Sequence, residues 1–211
     1  MDYWKGKSLY ENLRKTLPEK INQAWDANVI DDTWVSAAGL GNVIVDYKGV
    51  VDKGLSDVMR RIENKLKRLD PREPGNTRKR WFLEAALQGN QAVVMFSGRI
   101  ADCCKEQAEQ EKDETRRREL LKLEDICRNV PLNPARTFHE AVQSIYMILL
   151  AVHLESNGHA ISLGRFDQYV YPYYKRDLEE GRITREEALE IVECFFIKCN
   201  ELNKLRSWPD T

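Results

Sequence analysis

Residues 155–169 read Glu155-Ser156-Asn157-Gly158-His159-Ala160-Ile161-Ser162-Leu163-Gly164-Arg165-Phe166-Asp167-Gln168-Tyr169. The Asn157-Gly158 pair is typical of the C-terminal end of a helix, because both residues tolerate a left-handed backbone there. Residues 159–163 are apolar and bracketed by glycines, which predicts a short buried strand. A turn and a helix follow over residues 165–180 and end at Gly181. The stretch therefore predicts a helix, a strand and a second helix in succession.

Helices dominate the sequence around this strand. Apolar side chains recur at spacings of three and four over residues 51–69, 82–103, 120–127, 138–152 and 188–202. This spacing places them on one face of a helix. Two prolines and a glycine end the first of these helices within residues 70–75. A highly charged stretch, residues 105–118, follows the second, and the opening residues up to about Leu17 are predicted to be helical.

Two capping patterns mark where helices begin. Thr137 precedes an apolar run and has Glu140 three residues later, and Thr184 stands in the same relation to Glu187. In a capping box the hydroxyl and the carboxylate each accept a hydrogen bond from a free backbone N–H group. We therefore predict that helices begin after Thr137 and after Thr184.

Residues 31–45 are the other irregular region of the chain. Gly39-Leu40-Gly41 indicates a turn, and Val43-Ile44-Val45 indicates a short strand. One or two short strands among about seven helices have no evident partners, and a lone strand cannot satisfy its backbone hydrogen bonds. We therefore expect their sheet neighbours to lie elsewhere and the chain to be part of something larger.

Composition excludes several classes of protein. The 211 residues carry 33 Lys and Arg against 34 Asp and Glu, a net charge of −1, which argues against an electrostatic nucleic-acid binder or a polybasic membrane anchor. The longest apolar run, residues 145–152, is too short to cross a bilayer. Five cysteines without a CxxC pair argue against a disulfide framework and a zinc knuckle. Together with the absence of a basic leader, these features predict a cytoplasmic protein.

Motif matches to cofactor sites are weak. Gly39-Leu40-Gly41 has Ile44 where a dinucleotide loop needs its third glycine. His153, Glu155 and His159 lie on different faces and across the Gly158 break, so we expect no metal site there. Instead, His153 is predicted to be partly buried and hydrogen-bonded to the backbone.

The polar residues at the ends of the predicted strand leave two interpretations open. Arg165 and Asp167 either pair with nearby helix ends and position the turn, which we favour, or contact a ligand. His159 stands at the beginning of the strand and suits substrate contact and a structural role equally. Strand ends are where α/β barrels place binding groups.

Two long motifs stand at a consistent spacing. The first is Val130-Pro131-Leu132-Asn133-Pro134-Ala135-Arg136-Thr137-Phe138-His139-Glu140-Ala141-Val142-Gln143, and the second joins residues 155–159 to Gly164-Arg165-Phe166-Asp167-Gln168-Tyr169-Val170-Tyr171-Pro172-Tyr173-Tyr174. Together they resemble the pyruvate formate-lyase domain of glycyl radical enzymes, nearer to the dehydratase, decarboxylase and other lyase branches than to pyruvate formate-lyase itself. The resemblance treats residues 1–211 as one partial domain. Its first part, to about residue 75, is irregular with helices, and residues 76–211 are helices with a barrel strand near 159–163.

This resemblance implies a ten-stranded α/β barrel that encloses the site. It further implies a glycyl radical near the C-terminus of the complete enzyme, installed by an activating enzyme that uses S-adenosylmethionine and an iron–sulfur cluster. The radical passes to a cysteine in a barrel loop, and a glutamate two residues later commonly acts as acid or base. The implied partners are the remainder of the enzyme chain, the activating enzyme and a small-molecule substrate.

The sequence departs from this pattern in the residues that carry the radical. It contains neither a Gly-Cys dipeptide nor an Arg-Val-x-Gly-Tyr motif, and complete members of the family are several times longer. We therefore expect an N-terminal portion that carries no catalytic residue, binds no cofactor or metal itself and is inactive alone.

The resemblance assigns this portion a share of the substrate pocket. Glycerol dehydratase-like members read Asn-Gly-His-Ser, where His and Ser contact substrate hydroxyls; His159 matches this His, and Ala160 replaces the Ser. Alanine cannot donate a hydrogen bond, which argues against glycerol or a diol. Asn42 and Trp34 fall where members place further pocket residues. Arg165, Asp167 and Asn157 are expected to be structural residues near the pocket.

Two functions of different classes remain. An incomplete glycyl radical enzyme predicts an exposed apolar surface where the barrel would pack, and hence self-association. A helical module descended from such an enzyme, which now only binds a partner, predicts cooperative unfolding and a single oligomeric state. A self-contained enzyme with a different site is disfavoured, because the sequence shows no nucleophile–base or metal constellation.

Overall fold

The computed structural model describes residues 6–7, 9–30, 43–70, 72–156 and 161–202. Its elements are α1 (Leu9–Thr16), α2 (Glu19–Asp26), β1 (Val43–Ile44), α3 (Tyr47–Arg68), α4 (Asn76–Gln110), α5 (Glu114–Asn129), α6 (Phe138–Ser156), β2 (Ile161–Ser162), α7 (Phe166–Glu179) and α8 (Arg185–Glu201). The predominance of helices is confirmed. Within the described residues, no helix is both long enough and apolar enough to span a bilayer.

The capping predictions are confirmed, one completely and one in part. At α8 both halves of the box are present, with the Thr184 hydroxyl and the Glu187 carboxylate each accepting from the other residue's backbone N–H. At α6 the Thr137 hydroxyl accepts from the Glu140 N–H at 3.2 Å. The Glu140 carboxylate does not complete the box. It accepts instead from the backbone N–H of Arg136 at 2.5 Å and from the guanidinium Nε of Arg136 at 2.8 Å.

The charged stretch after residue 104 is mostly helical. Helix α4 runs through to Gln110, and α5 begins at Glu114, where the Asp113 carboxylate accepts from the Arg116 N–H at 2.8 Å. Pairs such as Arg116–Glu119 lie three residues apart on the exposed face. High charge therefore keeps one face of these helices in solvent, and the chain leaves the helical conformation only at residues 111–113.

Helix α6 is the centre of the core. It contacts α3, α4, α5, α7, α8 and β2. Its buried apolar side chains are Phe138, Ala141, Val142, Ile145, Met147, Ile148 and Leu149. Burial of each large aliphatic side chain contributes about 1.5–3 kcal/mol to folding. The strong apolar pattern of this segment reflects its position between several helices.

Helix α3 contains a break that the apolar pattern did not predict. Gly54 has φ +74° and ψ 164°, and the backbone of residues 131–135 lies in the gap. The N–H groups of Leu55 and Ser56 donate to the carbonyls of Pro131 and Leu132 at 2.8 and 2.9 Å. The Ala135 N–H donates to the Val51 carbonyl at 2.9 Å. The backbone N–H and C=O groups that lose their helical partners at the break therefore form hydrogen bonds with residues of the first long motif.

Two buried carboxylates hold the start of α6 in place. Glu140 accepts from Asn129 Nδ2 at 3.0 Å in addition to Arg136. Asp177, which is 2% exposed, accepts from the Phe138 backbone N–H at 2.6 Å and pairs with Arg182 at 3.0 Å. Since a helix N-terminus presents free N–H groups, a buried carboxylate is stabilised there.

The two strands pair with each other. They run parallel, with Val43 opposite Ile161 and Ile44 opposite Ser162. The expectation that the sheet neighbours lie elsewhere is wrong for this pairing, because residues far apart in the chain meet here. The predicted burial of β2 is also wrong, since Ile161 is half-buried and Ser162 is exposed. Parallel sheets are normally covered on both faces. The described residues form a sheet of two strands and no ten-stranded barrel.

Candidate functional site

Four of the predicted site residues lie outside the described residues: Trp34, Asn42, Asn157 and His159. The structure resumes after these segments at Val43 and at Ile161, which are paired across the parallel strands. The chain therefore enters the two parallel strands at the same end of one small sheet. The sequence did not predict the pairing of Val43 with Ile161, because this pairing depends on the tertiary fold.

Arg165 and Asp167 lie in the turn at the opposite end of β2. Both are exposed and pair with each other, with 3.4 Å between Arg165 Nη2 and Asp167 Oδ2. Hydrogen bonding to the Arg165 guanidinium lowers the pKa of Asp167. Asp167 also stands in the first turn of α7, where a carboxylate suits the helix dipole. This geometry suits a role in positioning the turn.

The turn itself brings β1 and β2 into close contact. Gly164 has φ +67°, and a Cβ added there would lie 3.1 Å from Cγ2 of Ile44. The Leu163 carbonyl accepts from the hydroxyl of Tyr169 at 2.9 Å. A left-handed glycine and a tyrosine hydroxyl together fix how the chain leaves the strand.

An aromatic cluster lies near the strands, and the sequence analysis did not identify it. Tyr47 stacks on Tyr169 with ring centroids 6.4 Å apart, and Phe166 stacks on Phe195 at 5.1 Å. Phe166 and Tyr169 meet edge to face at 6.0 Å and join the two pairs. Phe166 and Tyr169 belong to the second motif, and Tyr47 lies three residues after β1. These positions were the only sequence signal for the cluster. Such ring pairs stabilise by about 0.5–1.5 kcal/mol beyond their burial.

The hydroxyl of Tyr47 is buried without a hydrogen-bond partner among the described residues. Burial, followed by the neighbouring Cys199, raises the pKa of Tyr47 to about 12. Burial also raises the pKa of the Cys199 thiol. Both groups are therefore neutral near pH 7, and this part of the protein is apolar.

An apolar face remains open beside the strands. Ile44 is 69% exposed, and Phe196 and Ile197 on α8 are 53% and 62% exposed. Half-buried Phe166 follows the turn at Gly164, against which Ile44 lies, and its ring centroid is 6.2 Å from that of Phe196. We call these four residues the open seam. Large side chains exposed together mark a surface that another structure covers.

The histidine expected to be structural has that role. His153 is half-buried, and its Nδ1 lies 2.8 Å from the Leu149 carbonyl, as predicted. Among the described residues, no three His, Cys, Asp or Glu side chains are grouped as ligands for a metal ion.

Comparison with known proteins identifies the family. The family model described as pyruvate formate lyase-like matches residues 1–209. The chain belongs to this family. Its relatives are glycyl radical lyases and dehydratases, and the chain matches their N-terminal part.

Individual relatives of this family agree with the assignment. Isethionate sulfite-lyase of Nitratidesulfovibrio vulgaris is 37% identical over 204 residues, which cover 92% of this chain and 25% of that protein. The (2S)-3-sulfopropanediol dehydratase of Klebsiella oxytoca is 29% identical and covers 97% of this chain. The chain thus spans about a quarter of the length of the relatives it matches.

Solved structures of glycyl radical enzymes superpose closely on the chain. The structure reported for 1,2-propanediol dehydration in Roseburia inulinivorans gives a TM-score of 0.91 at 39% identity, over 98% of this chain and 25% of that chain. The B12-independent glycerol dehydratase of Clostridium butyricum gives a TM-score of 0.90 at 33% identity, over 100% of this chain and 26% of that chain.

The radical group of the family does not fit the residues present here. Glycyl radical enzymes use a glycyl radical installed by an activating enzyme. None of the eleven glycines in the 211 residues stands in an Arg-Val-x-Gly-Tyr motif, and none precedes a cysteine. No step of that chemistry is assigned to this chain.

Proposed function

We propose that these 211 residues form the strand pair and helical layer of a glycyl radical lyase or dehydratase and supply part of its substrate pocket. The residues that hold the radical and abstract hydrogen then belong to other parts of the enzyme, and the chain is inactive alone. The observation that carries this proposal is the open seam beside a two-stranded parallel sheet.

The seam supports the proposal for energetic reasons. A parallel sheet is stable when both of its faces are covered, and two short strands do not form an independent sheet. The aromatic cluster lies against the strands from within the chain, whereas Ile44, Phe196 and Ile197 have no cover among the described residues. Further barrel strands would bury these side chains and pair with the free edges of β1 and β2.

The proposed substrate is a small molecule that carries a hydroxyl group. Relatives named above act on glycerol, 1,2-propanediol or a sulfopropanediol, and a further relative is a trans-4-hydroxy-L-proline dehydratase. An imidazole can donate to or accept from an alcohol, so His159 is the first candidate for its contact. Ala160 offers no second side-chain hydrogen bond, which favours a substrate with one hydroxyl there. Asn42 and Trp34 remain candidates for neighbouring pocket positions.

A chimeric enzyme tests this proposal. This chain replaces the matching quarter of the Nitratidesulfovibrio vulgaris isethionate sulfite-lyase, and the product is activated anaerobically. We expect a glycyl radical signal by electron paramagnetic resonance and turnover of isethionate or trans-4-hydroxy-L-proline, which carry one hydroxyl each, in preference to 1,2-propanediol and glycerol. A chimera that carries the radical and turns over none of them contradicts the proposal.

Two histidine variants of the chimera separate pocket from fold. His159→Ala is expected to lower kcat/KM at least 100-fold while the radical content stays unchanged. His153→Ala is the matched control, because the same residue type binds a backbone carbonyl on α6. Equal effects of the two changes on kcat/KM would remove His159 from the pocket.

The alternative function is a helical partner-binding module. It is favoured by the buried apolar core around α6, which is formed by residues of this chain. The two functions differ in what the isolated chain does. A module unfolds cooperatively in one oligomeric state, whereas an enzyme portion with an open seam self-associates.

A further inference from the structure

We propose that a groove between the end of α3 and the beginning of α4 binds an acidic amphipathic helix of a partner protein. The groove has a volume of about 640 Å3. We call it the basic groove. Its lining residues are Lys65, Arg68, Leu69, Arg78, Lys79, Phe82 and Leu83. This surface goes beyond the proposed function, because it lies at the C-terminal end of α3, whereas the open seam adjoins the N-terminal end.

The charge of the basic groove selects an acidic partner. Four of its lining side chains are cationic, and none is acidic. Within the described part of the chain, Lys65, Arg68 and Arg78 form no ion pair, and Lys79 donates to the neutral Asn76 amide at 3.0 Å. The protein as a whole has a net charge of −1, so this concentration of positive charge is local. Carboxylates complement it and would speed association.

Helix dipoles explain only half of these cations. Lys65 and Arg68 lie in the last turn of α3, where positive side chains are stabilised. Arg78 and Lys79 lie in the first turns of α4, near the positive end of the dipole, and that first turn contains no acidic residue. Cations placed there cost stability unless an external negative charge compensates them.

The floor of the groove is apolar and open. Phe82 is 72% exposed, and the adjacent Trp81 is 64% exposed, although the helical spacing of α4 predicted Phe82 on its apolar stripe. The other two apolar lining residues, Leu69 and Leu83, are half-buried. A small-molecule site encloses most of its ligand, whereas none of these lining residues is buried. A groove between two helices with an apolar floor and charged rims instead suits an amphipathic helix.

A synthetic peptide tests this inference on the complete 211-residue chain. The probe is a fluorescein-labelled 18-residue helix of alanine and glutamine, with leucines at positions i, i+3, i+4 and i+7 and glutamates flanking them. We expect micromolar binding by fluorescence anisotropy, with affinity that falls at least tenfold between low and high salt. No binding below 1 mM, or equal binding of the peptide with glutamine in place of glutamate, overturns the inference.

Variants of the chain locate the binding site. Arg78→Glu with Lys79→Glu, and separately Phe82→Ala, are each expected to weaken binding at least tenfold; all three side chains are exposed, so the fold persists. Arg117→Glu with Arg118→Glu on α5 is the matched control for net charge and should leave binding within twofold. An equal loss in the control overturns the site.

Other occupants are distinguished by competition. Vesicles of phosphatidylcholine and phosphatidylserine and a 20-nucleotide single-stranded DNA represent a membrane and a nucleic acid. If the vesicles and the DNA both bind more weakly than the peptide, the result supports an acidic protein helix as the occupant. If the vesicles or the DNA bind more tightly than the peptide, and Arg78→Glu with Lys79→Glu abolishes that binding, the inference is overturned.

Discussion

Gly54 and Leu132 approach so closely that no side chain fits between them. A Cβ built on Gly54 would lie 2.3 Å from the Leu132 carbonyl oxygen, and the φ of +74° is one that other residues rarely adopt. We expect Gly54→Ala to lower the free energy of unfolding by about 2–4 kcal/mol, because backbone strain and displacement of residues 131–135 add together. Urea denaturation measures the change.

Gly89→Ala is the matched control for that substitution. Gly89 lies inside α4, and an added Cβ there meets nothing within 4 Å. Alanine should therefore raise stability by about 0.5–1 kcal/mol. If both variants are equally stable, the break in α3 does not depend on glycine.

Removing the hydroxyl of Tyr47 and removing the hydroxyl of Tyr169 should have opposite effects on stability. The Tyr47 hydroxyl is buried without a partner, so Tyr47→Phe is expected to leave stability unchanged or to raise it by up to about 2 kcal/mol. The Tyr169 hydroxyl donates to Leu163, so Tyr169→Phe should lower it by about 1 kcal/mol. Chemical denaturation of both variants checks the sign; a loss in Tyr47→Phe larger than in Tyr169→Phe contradicts the assignment.

His139 should make the protein acid-sensitive. Burial, followed by repulsion from Lys122, lowers its pKa from 6.5 to about 4. Between these values the unfolded chain binds a proton that the folded chain excludes, so stability falls as pH falls. We expect a loss of about 2 kcal/mol from pH 7 to pH 5. His139→Leu cannot titrate, so the difference between wild type and variant isolates this effect, and parallel pH profiles would disprove it.

We expect the buried carboxylate of Asp177 to contribute far more to stability than an exposed carboxylate does. Asp177→Ala leaves the Phe138 N–H and Arg182 without their buried acceptor, so we expect a loss of about 2–4 kcal/mol. Asp102→Ala breaks an exposed pair with Arg128 and should cost less than about 1 kcal/mol. Thermal unfolding of the two variants compares them directly.

Local chemistry explains which features were predictable. The caps at Thr137 and Thr184 and the apolar stripes of α3, α6 and α8 depend on residues within a few positions, so periodicity and side-chain type were sufficient. The break at Gly54 depends on a loop that follows α5. The pairing of Val43 with Ile161 likewise joins segments far apart in the chain, and no local pattern encodes it.

The candidate site was predictable only in part. The second motif marked the turn at Arg165 and Asp167 and contained Tyr169, but its stacking on Tyr47 joins two helices that are far apart in the chain. The exposure of Phe82 also could not be read from helical spacing, because spacing defines a face and not what covers it. His159, Asn157, Asn42 and Trp34 lie outside the described residues and stay predictions.

The proposed function requires that the remainder of a glycyl radical enzyme covers the open seam. The most direct measurement is binding of this chain to the other three quarters of the Nitratidesulfovibrio vulgaris isethionate sulfite-lyase by analytical ultracentrifugation. We predict a one-to-one complex that Ile44→Asp and Phe196→Asp each weaken at least tenfold, while Phe82→Asp leaves it unchanged. A folded chain that forms no complex, or a complex insensitive to Ile44→Asp and Phe196→Asp, would show that the open seam is not covered in this way.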